Sequence, residues 1–320
     1  MTAPPIIRPF RDADADAVVR LWNAAAPHDG ISIERFARRV LLDDLFDPRG
    51  ALVLESPSTT GPELLGFALA KAAPKGRVGW INVLLVHPGH RGRGHGRALL
   101  DAALSWLTSP APGGRGVGEV RFSDSVPEYL LPGIDRDRYP AGHALLRTAG
   151  FEVESRPAAM RIDLSGAVEP PELIARRREL EAEGWRFRYA QLDDVGGLAR
   201  LAGLIAEDWG ALMRDVLRHG LPLERIVVAE SPEREVHGWA MHGTYGDSLE
   251  RFGPYGLHPA TRGKGVGAVL LHRTLDAMRT AGCAAAWFLW ADEGTAASRL
   301  YEQSGFRVFR RFDIMVRRTE

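Results

Sequence analysis

The chain has 320 residues, in which 41 Lys and Arg balance 41 Asp and Glu for a formal net charge of zero. Bulk nucleic acid and anionic membranes select for an excess of basic charge, so both are excluded as main partners, while a local phosphate site is not. At 45% hydrophobic and 26% charged residues, and roughly 100–200 residues per domain, the composition is that of two globular domains. The single cysteine, Cys283, allows no intramolecular disulfide and no thiolate metal cluster; set beside Ala284, Ala285 and Ala286, it reads as a small buried residue in a reducing compartment. Met1–Pro5 lacks a basic segment followed by an apolar run, and the run 284–291 falls far short of the ~20 residues that span a bilayer. A soluble cytoplasmic protein is expected, monomer or homodimer, with no metal site.

Taken in order, Ile6–Pro9 reads as a strand, and Asp14–Ala26 as an acid-capped helix with Val18, Val19 and Trp22 on one face. Strands follow at Ala51–Glu55, Leu64–Ala70 and Trp80–Val86, separated by Gly and Pro. After a glycine-rich loop comes a helix that sets Leu99, Leu100, Ala103, Leu104 and Leu107 on one face. The second half repeats the order: strands at Arg186–Tyr189, Ile226–Glu230, Val236–Gly243 and Pro254–Leu257, helices at Leu198–Trp209 and Gly267–Thr280, and a strand at Ala284–Trp290.

The repetition is explicit. Val83–Leu107 aligns without gaps on Pro254–Met278 at an offset of 171 residues, which puts His87-Pro88 on His258-Pro259, Arg91-Gly92 on Arg262-Gly263, and Gly94 and Gly96 on Gly265 and Gly267. At an offset of 155, Gly150-Phe151, Val153 and Met160 fall on Gly305-Phe306, Val308 and Met315. A weaker match sets Arg8 and Asp14 against Arg188 and Asp194. The reading is a duplicated α+β domain with a mixed sheet. The expected division is an N-terminal domain at 1–165, a linker at 166–184 containing Pro170-Pro171 and a charged helical stretch, and a C-terminal domain at 185–320.

Both glycine loops, Arg91-Gly92-Arg93-Gly94-His95-Gly96 and Arg262-Gly263-Lys264-Gly265-Val266-Gly267, follow an apolar strand and open an amphipathic helix. A helix N-terminus offers unpaired amides and the positive end of its dipole, and glycines let the backbone close around an anion. Basic side chains beside those amides point to a diphosphate. Neither loop has the GxGxxG spacing of a dinucleotide site, and Arg97 and Ala268 stand where a P-loop needs its Lys-Ser/Thr.

The motif resembles the GNAT acyltransferase signature, [R/Q]-x-x-G-x-[G/A] preceded by Val-x-Pro, in Val86-His87-Pro88 with Arg91–Gly96 and in Leu257-His258-Pro259 with Arg262–Gly267. The second half adds Ala297-x-x-Leu300-Tyr301-x-x-x-Gly305-Phe306, similar to the family's last helix and strand. The resemblance implies two tandem GNAT domains, each a mixed, mostly antiparallel sheet flanked by helices. The arrangement is similar to that of mycothiol synthases and certain bacterial amino-sugar acetyltransferases. It further implies acetyl-CoA as co-substrate, its pyrophosphate on the two loops and its thioester oxygen near the backbone amide of Val86 or Leu257.

By the same resemblance Tyr301 is the expected proton donor to the departing thiolate, whereas the matching position in the first half is Leu146, which carries no proton. Turnover is therefore expected in the second half. The family's usual base position holds Asn82 and Gly253, so bulk water or a water chain is expected to deprotonate the amine, with Glu250, Asp292 and Glu293 as candidates for its start and Glu250 the candidate base. The expected reaction is direct attack of a small-molecule primary amine on the thioester in a ternary complex. A protein or peptide N-acetyltransferase and an acyl-CoA-binding regulatory module are the alternatives. The first half is longer between loop and tail, 60 residues from Arg91 to Phe151 against 44 from Arg262 to Phe306. Its extra length, in Pro110–Gly118 and Pro127–Pro140, either walls a substrate site or docks on the other half.

Overall fold

A computed structural model describes residues 4–57, 63–73, 76–110, 113–125, 129–166, 169–220, 223–244 and 248–318. Residues 111–112 and 127–128 of the expected long loops, and 167–168 of the expected linker, lie outside the described residues. The chain forms two compact units: the described residues of 1–125, 129–157 and 311–320, and those of 158–310.

The first unit is built on one seven-stranded sheet, in the order β1 (Ile6–Pro9), β2 (Ala51–Ser56), β3 (Glu63–Ala72), β4 (Val78–Val86), β5 (Glu119–Phe122), β14 (Ile314–Arg318), β6 (Glu152–Ser155). Pairing is antiparallel except between β4 and β5. On one face, α3 (His95–Thr108) buries Leu99, Leu100, Ala103, Leu104 and Leu107, the stripe read from its period. On the other, α1 (Ala15–Ala25) and the short α2 (Ile33–Phe36) pack Val18, Trp22 and Phe36 against Val53, Phe67 and Leu85. Each large side chain withdrawn from water in this way contributes about 1.5–3 kcal/mol. The short helix α4 (Pro140–Thr148) follows and buries Leu146.

The second unit carries β8 (Arg186–Tyr189), β9 (Ile226–Glu230), β10 (Val236–His242) and β11 (Phe252–Leu257) in one antiparallel sheet. β7 (Ala158–Asp163) lies between β12 (Ala285–Ala291) and β13 (Arg307–Arg311) in another. Its helices are α5 (Pro171–Ala182), α6 (Val195–Ile205), α7 (Glu207–Arg218), α8 (Val266–Thr280) and α9 (Ala296–Gln303).

The division at 165/185 needs correcting. Strand β7 belongs to the second unit, although it precedes the expected boundary, and the last strand, β14, lies in the first unit's sheet between β5 and β6. The charged stretch after Pro170-Pro171 is α5, and it packs within the second unit on α8 rather than standing as a free connector. Met160 and Met315, matched by the repeat, occupy these two exchanged strands. Their patterns are equivalent, so each strand satisfies the other's sheet.

The weak match at the starts of the halves is one ion cluster made twice. Arg8 bonds Asp14 (2.7 Å) and Glu55 (2.7 Å), and Arg188 bonds Asp194 (2.6 Å) and Glu230. Asp14 and Asp194 also accept the amides of Arg11 and Gln191, which ties strand to helix. The Arg8 guanidinium holds the Asp14 carboxyl below its ordinary 3.8. At Asp194 burial pushes upward, but the bonds from Arg188 and the Gln191 amide outweigh it.

Arg8→Met leaves two largely buried carboxylates without their cation and is expected to cost about 3 kcal/mol. Because Asp14's carboxyl titrates lower when folded, its stabilisation is complete above about pH 4 and fades as the pH drops through the depressed value. Thermal unfolding should therefore separate wild type from Arg8→Met widely at pH 7 and narrowly at pH 3; an equal separation at both would refute this role.

Candidate active site

The first unit's site begins where two parallel strands part. β5 pairs with β4 from Val78↔Glu119 to Ile81↔Phe122, and the Ser123 amide closes the ladder on the Ile81 carbonyl. Beyond that point β4 continues for five residues and β5 does not. The β3–β4 register shifts at the same place, so β4 carries a bulge at Asn82 that re-aims its backbone. The His87 amide is spent on the Leu65 carbonyl. Alternation along the strand therefore turns the Val86 amide to the opposite, unpaired edge.

The glycine loop follows. His87 caps a 3-10 turn by accepting the Gly89 amide (3.2 Å), with Pro88 at its first position, and His258 does the same for Ala260 (3.3 Å). The matched His-Pro pairs are turn caps. Arg91 donates to the carbonyls of Val86 (3.2 Å) and Ala25 (2.8 Å), fixing the loop to the strand end and to α1. Gly92 and Gly94 have φ of +74° and +83°, where a side chain is strained, and nothing lies within 4 Å of where their Cβ would be. The loop so formed opens directly onto the first turn of α3.

These parts wall a cavity of about 580 Å³. Val86, Arg91, Gly92, Gly94, His95 and Gly96 line it, together with Trp22, Asp29, Leu130, Ile134, Asp135 and Tyr139. Of the expected long loop, Leu130, Leu131, Gly133, Ile134, Asp135, Arg138 and Tyr139 line this cavity. The Ile134 amide and carbonyl pair with the Asp313 carbonyl and amide, and Asp313 also binds His143 of α4 (3.0 Å) and Arg156 (2.5 Å). A Cβ on Gly133 would stand 2.4 Å from the Asp313 carbonyl, so this wall is held by the end of the chain at a backbone approach only glycine permits.

Polar groups converge on the wall. Tyr139, just ahead of α4, donates to Asp29 Oδ2 at 2.6 Å. Trp22 Nε1 fixes the Asp29 carbonyl at 2.9 Å. Asp135 accepts the amides of Asp137 and Arg138, each at 3.1 Å. Asn82 is buried; its Nδ2 donates to Ser125 Oγ (2.5 Å), and its Oδ1 has no partner among the described residues. Sequence reasoning assigned no role to Asp29 or Ser123, since single residues on irregular segments carry no periodicity.

The second unit meets the same parting of strands and fills it. β11 and β12 touch at one parallel bridge, Arg251↔Trp287, and then separate. Phe252, Tyr255, Phe288, Tyr301 and Phe306 pack against one another beside it, the Tyr301 and Phe288 ring centroids 4.6 Å apart. At the offset of 171, Leu84 and Ile81 stand where Tyr255 and Phe252 do. The Tyr255 hydroxyl lies 2.5 Å from where a Cβ of Gly267 would be. Arg176 of α5 donates to the Lys264 carbonyl (2.9 Å) and approaches the Cβ position of Gly265 to 3.0 Å. Val266 and Gly267 are buried, while Arg262, Gly263 and Lys264 remain exposed.

Tyr301 accordingly sits in a packed core, and burial raises its hydroxyl far above the ordinary 10.0. The sequence expectation set this hydroxyl beside a departing thiolate; here the rings of Phe252, Phe288 and Phe306 enclose it. Glu250 is also elsewhere engaged: its Oε1 accepts the amides of Ala284 (3.1 Å) and Ala285 (3.0 Å) and starts β12. Among the described residues no group of three or more His, Cys, Asp or Glu could hold a metal ion, and no helix is long and apolar enough to cross a membrane.

Comparison with known proteins places this geometry. The profile of the GNAT acetyltransferase family matches residues 16–118, and that of a GNAT acetyltransferase domain matches residues 222–308. The mycothiol acetyltransferase of Thermobispora bispora is 29% identical over 314 residues, covering 95% of this chain and 96% of that one. That of Propionibacterium freudenreichii is 41% identical over 100 residues, and the match spans 31% of the relative's length. The GCN5-related glucosamine N-acetyltransferase region of a fungal multi-domain GH3 β-N-acetylglucosaminidase shares the fold with a TM-score of 0.80 at 17% identity, over 98% of this chain and 38% of that one.

Glu250→Ala removes the acceptor of two backbone amides, and the expected loss is about 1–2 kcal/mol of stability. Urea unfolding checks it, and an unchanged midpoint would show that the contact carries no weight.

Proposed function

The chain belongs to the GNAT acetyltransferases, carrying two of their domains as an N-acetyltransferase, and we propose that it moves the acetyl group of acetyl-CoA to a primary amine of a small molecule in the first unit alone. The observation that carries this reading is the contrast between the two partings of strands: one opens into a cavity of about 580 Å³, the other is packed with aromatic rings. The residues of the first unit suit the co-substrate. Amides of Gly92–Gly96 and the N-terminus of α3 would take its pyrophosphate, with Arg93 and Arg97 adding charge. The unpaired edge of β4 would pair with the pantetheine arm as an added strand does. The Val86 amide, on that edge, would stabilise the oxygen of the thioester as it gains charge.

The acceptor end is concave and largely apolar, with a few fixed polar groups, which suits a small molecule better than a peptide backbone. The long relatives named mycothiol acetyltransferase support a small-molecule acceptor. Arg176 and Tyr255 crowd the second loop at Lys264, Gly265 and Gly267, which supports one binding event per chain.

Calorimetric titration with CoA should give a stoichiometry near one, abolished by Gly94→Glu and retained by Gly265→Glu. Thiol release from acetyl-CoA across amines such as glucosamine, L-cysteine and a short peptide should follow the same two variants. A stoichiometry of two, or activity that survives Gly94→Glu and is lost with Gly265→Glu, would put the reaction in the other unit.

A further inference from the structure

The first unit lacks both groups that acid–base chemistry was expected to use: Leu146 stands at the position of Tyr301, and Asn82 at the usual base position. An amide side chain can hold an N–H but cannot take its proton. Yet the attacking amine must lose a proton as the C–N bond forms, and the cavity wall contains a hydroxyl bonded to a carboxylate from 110 residues away in the chain. Tyr139 Oη is the donor in that bond, so the face that the hydroxyl turns toward an acceptor amine is made of lone pairs. Ahead of α4 it stands seven residues before Leu146, and the corresponding position ahead of α9 is Gly294. The hydroxyl is found only in the unit whose cavity is open.

Its surroundings hold it there. The Tyr139 amide donates to the Asp135 carbonyl, and the His28 ring meets the Tyr139 ring edge-on at 6.3 Å. Besides His28, the cavity that the pair lines carries the charged or titratable side chains of Arg35, His90, Arg91, His95, Arg97, Asp135 and Arg138.

Resting on the assignment of turnover to the first unit, we propose that Tyr139 and Asp29 form a two-residue proton relay that receives the proton of the acceptor amine. As the amine nitrogen bonds to the acetyl carbon, its proton passes to Tyr139 Oη while the phenolic proton passes to Asp29 Oδ2. The C–S bond breaks with its electron pair on sulfur. The thiolate then takes up the proton that Asp29 returns through Tyr139, which leaves the amide, the free thiol and the relay in its starting state. Tyr139 is the catalytic residue and Asp29, acting through it, the positioning residue.

The test uses the full chain and three variants, Tyr139→Phe, Asp29→Asn and the pair together. Thiol release is measured with acetyl-CoA and the panel amines, glucosamine first, from pH 6 to 9, beside calorimetric CoA titration. Each single variant should lower kcat by at least about tenfold, within the range positioned proton transfer supplies. CoA affinity should stay within about twofold, and the double variant should be no slower than the worse single one, as for groups that act as a unit. Wild-type kcat should reach a plateau with rising pH, while the variants should keep rising because only solvent base remains. Unchanged kcat in both single variants, losses that multiply in the double variant, or a fall in CoA affinity matching the fall in kcat would overturn the relay. Absence of thiol release with every amine in a wild-type chain that binds CoA would instead retire the functional reading beneath it.

Discussion

The structure depends on what becomes of a strand edge that loses its partner. Backbone amides and carbonyls must be paired, by protein, water or ligand. In each unit two parallel neighbours part after a short contact, at Ile81/Phe122 and at Arg251/Trp287, leaving such an edge. In each unit a bulge sits beside the parting and re-aims the strand leading to the glycine loop. The first unit keeps its edge open to a cavity; the second packs rings beside it. One constraint, resolved in two ways, separates a site from a core.

Small differences in side-chain volume suffice for this. Leu84 and Ile81 leave space that Tyr255 and Phe252 occupy at the matching positions. Once rings are in place, Phe288, Tyr301 and Phe306 complete a cluster in which edge-on and tilted contacts recur between 4.6 and 6.2 Å, a range at which aromatic pairs stabilise each other. Helix α5 adds a cation to the loop carbonyl of Lys264. The glycines that would let a phosphate approach remain in the second loop, where Gly267 admits the Tyr255 hydroxyl; on β11, Gly256 admits the Trp239 ring.

The end of the chain matters to the first unit's site out of proportion to its length. Strand β14 lies between β5 and β6, and Asp313 just before it holds the Ile134 wall, His143 of α4 and Arg156 together. Burial of Asp313 is tolerable because bonds surround it, which is the general condition for an enclosed carboxylate. The same contact that completes the sheet therefore fixes the cavity wall and the helix that follows Tyr139.

Much of this was legible in the sequence. The duplication, the strand–loop–helix units, the glycine loops, the buried face of α3 and the paired Arg8–Asp14 and Arg188–Asp194 positions all follow from residue types at fixed spacing, because period and turn chemistry are local. What the sequence did not determine was every decision that compares distant residues. Swapped and unswapped final strands carry the same pattern, so Met160 and Met315 cannot reveal which sheet each joins. A tyrosine at the family's position says nothing of whether its hydroxyl faces a cleft, and Tyr301 lies in a packed core because Phe252, Phe288 and Phe306 converge on it. Asp29 and Tyr139, 110 residues apart, meet only once α1 and the loop ahead of α4 are set around one cavity. Periodicity fixes which face of an element is buried; only the packing of elements against one another decides whether the space between them is filled or left open.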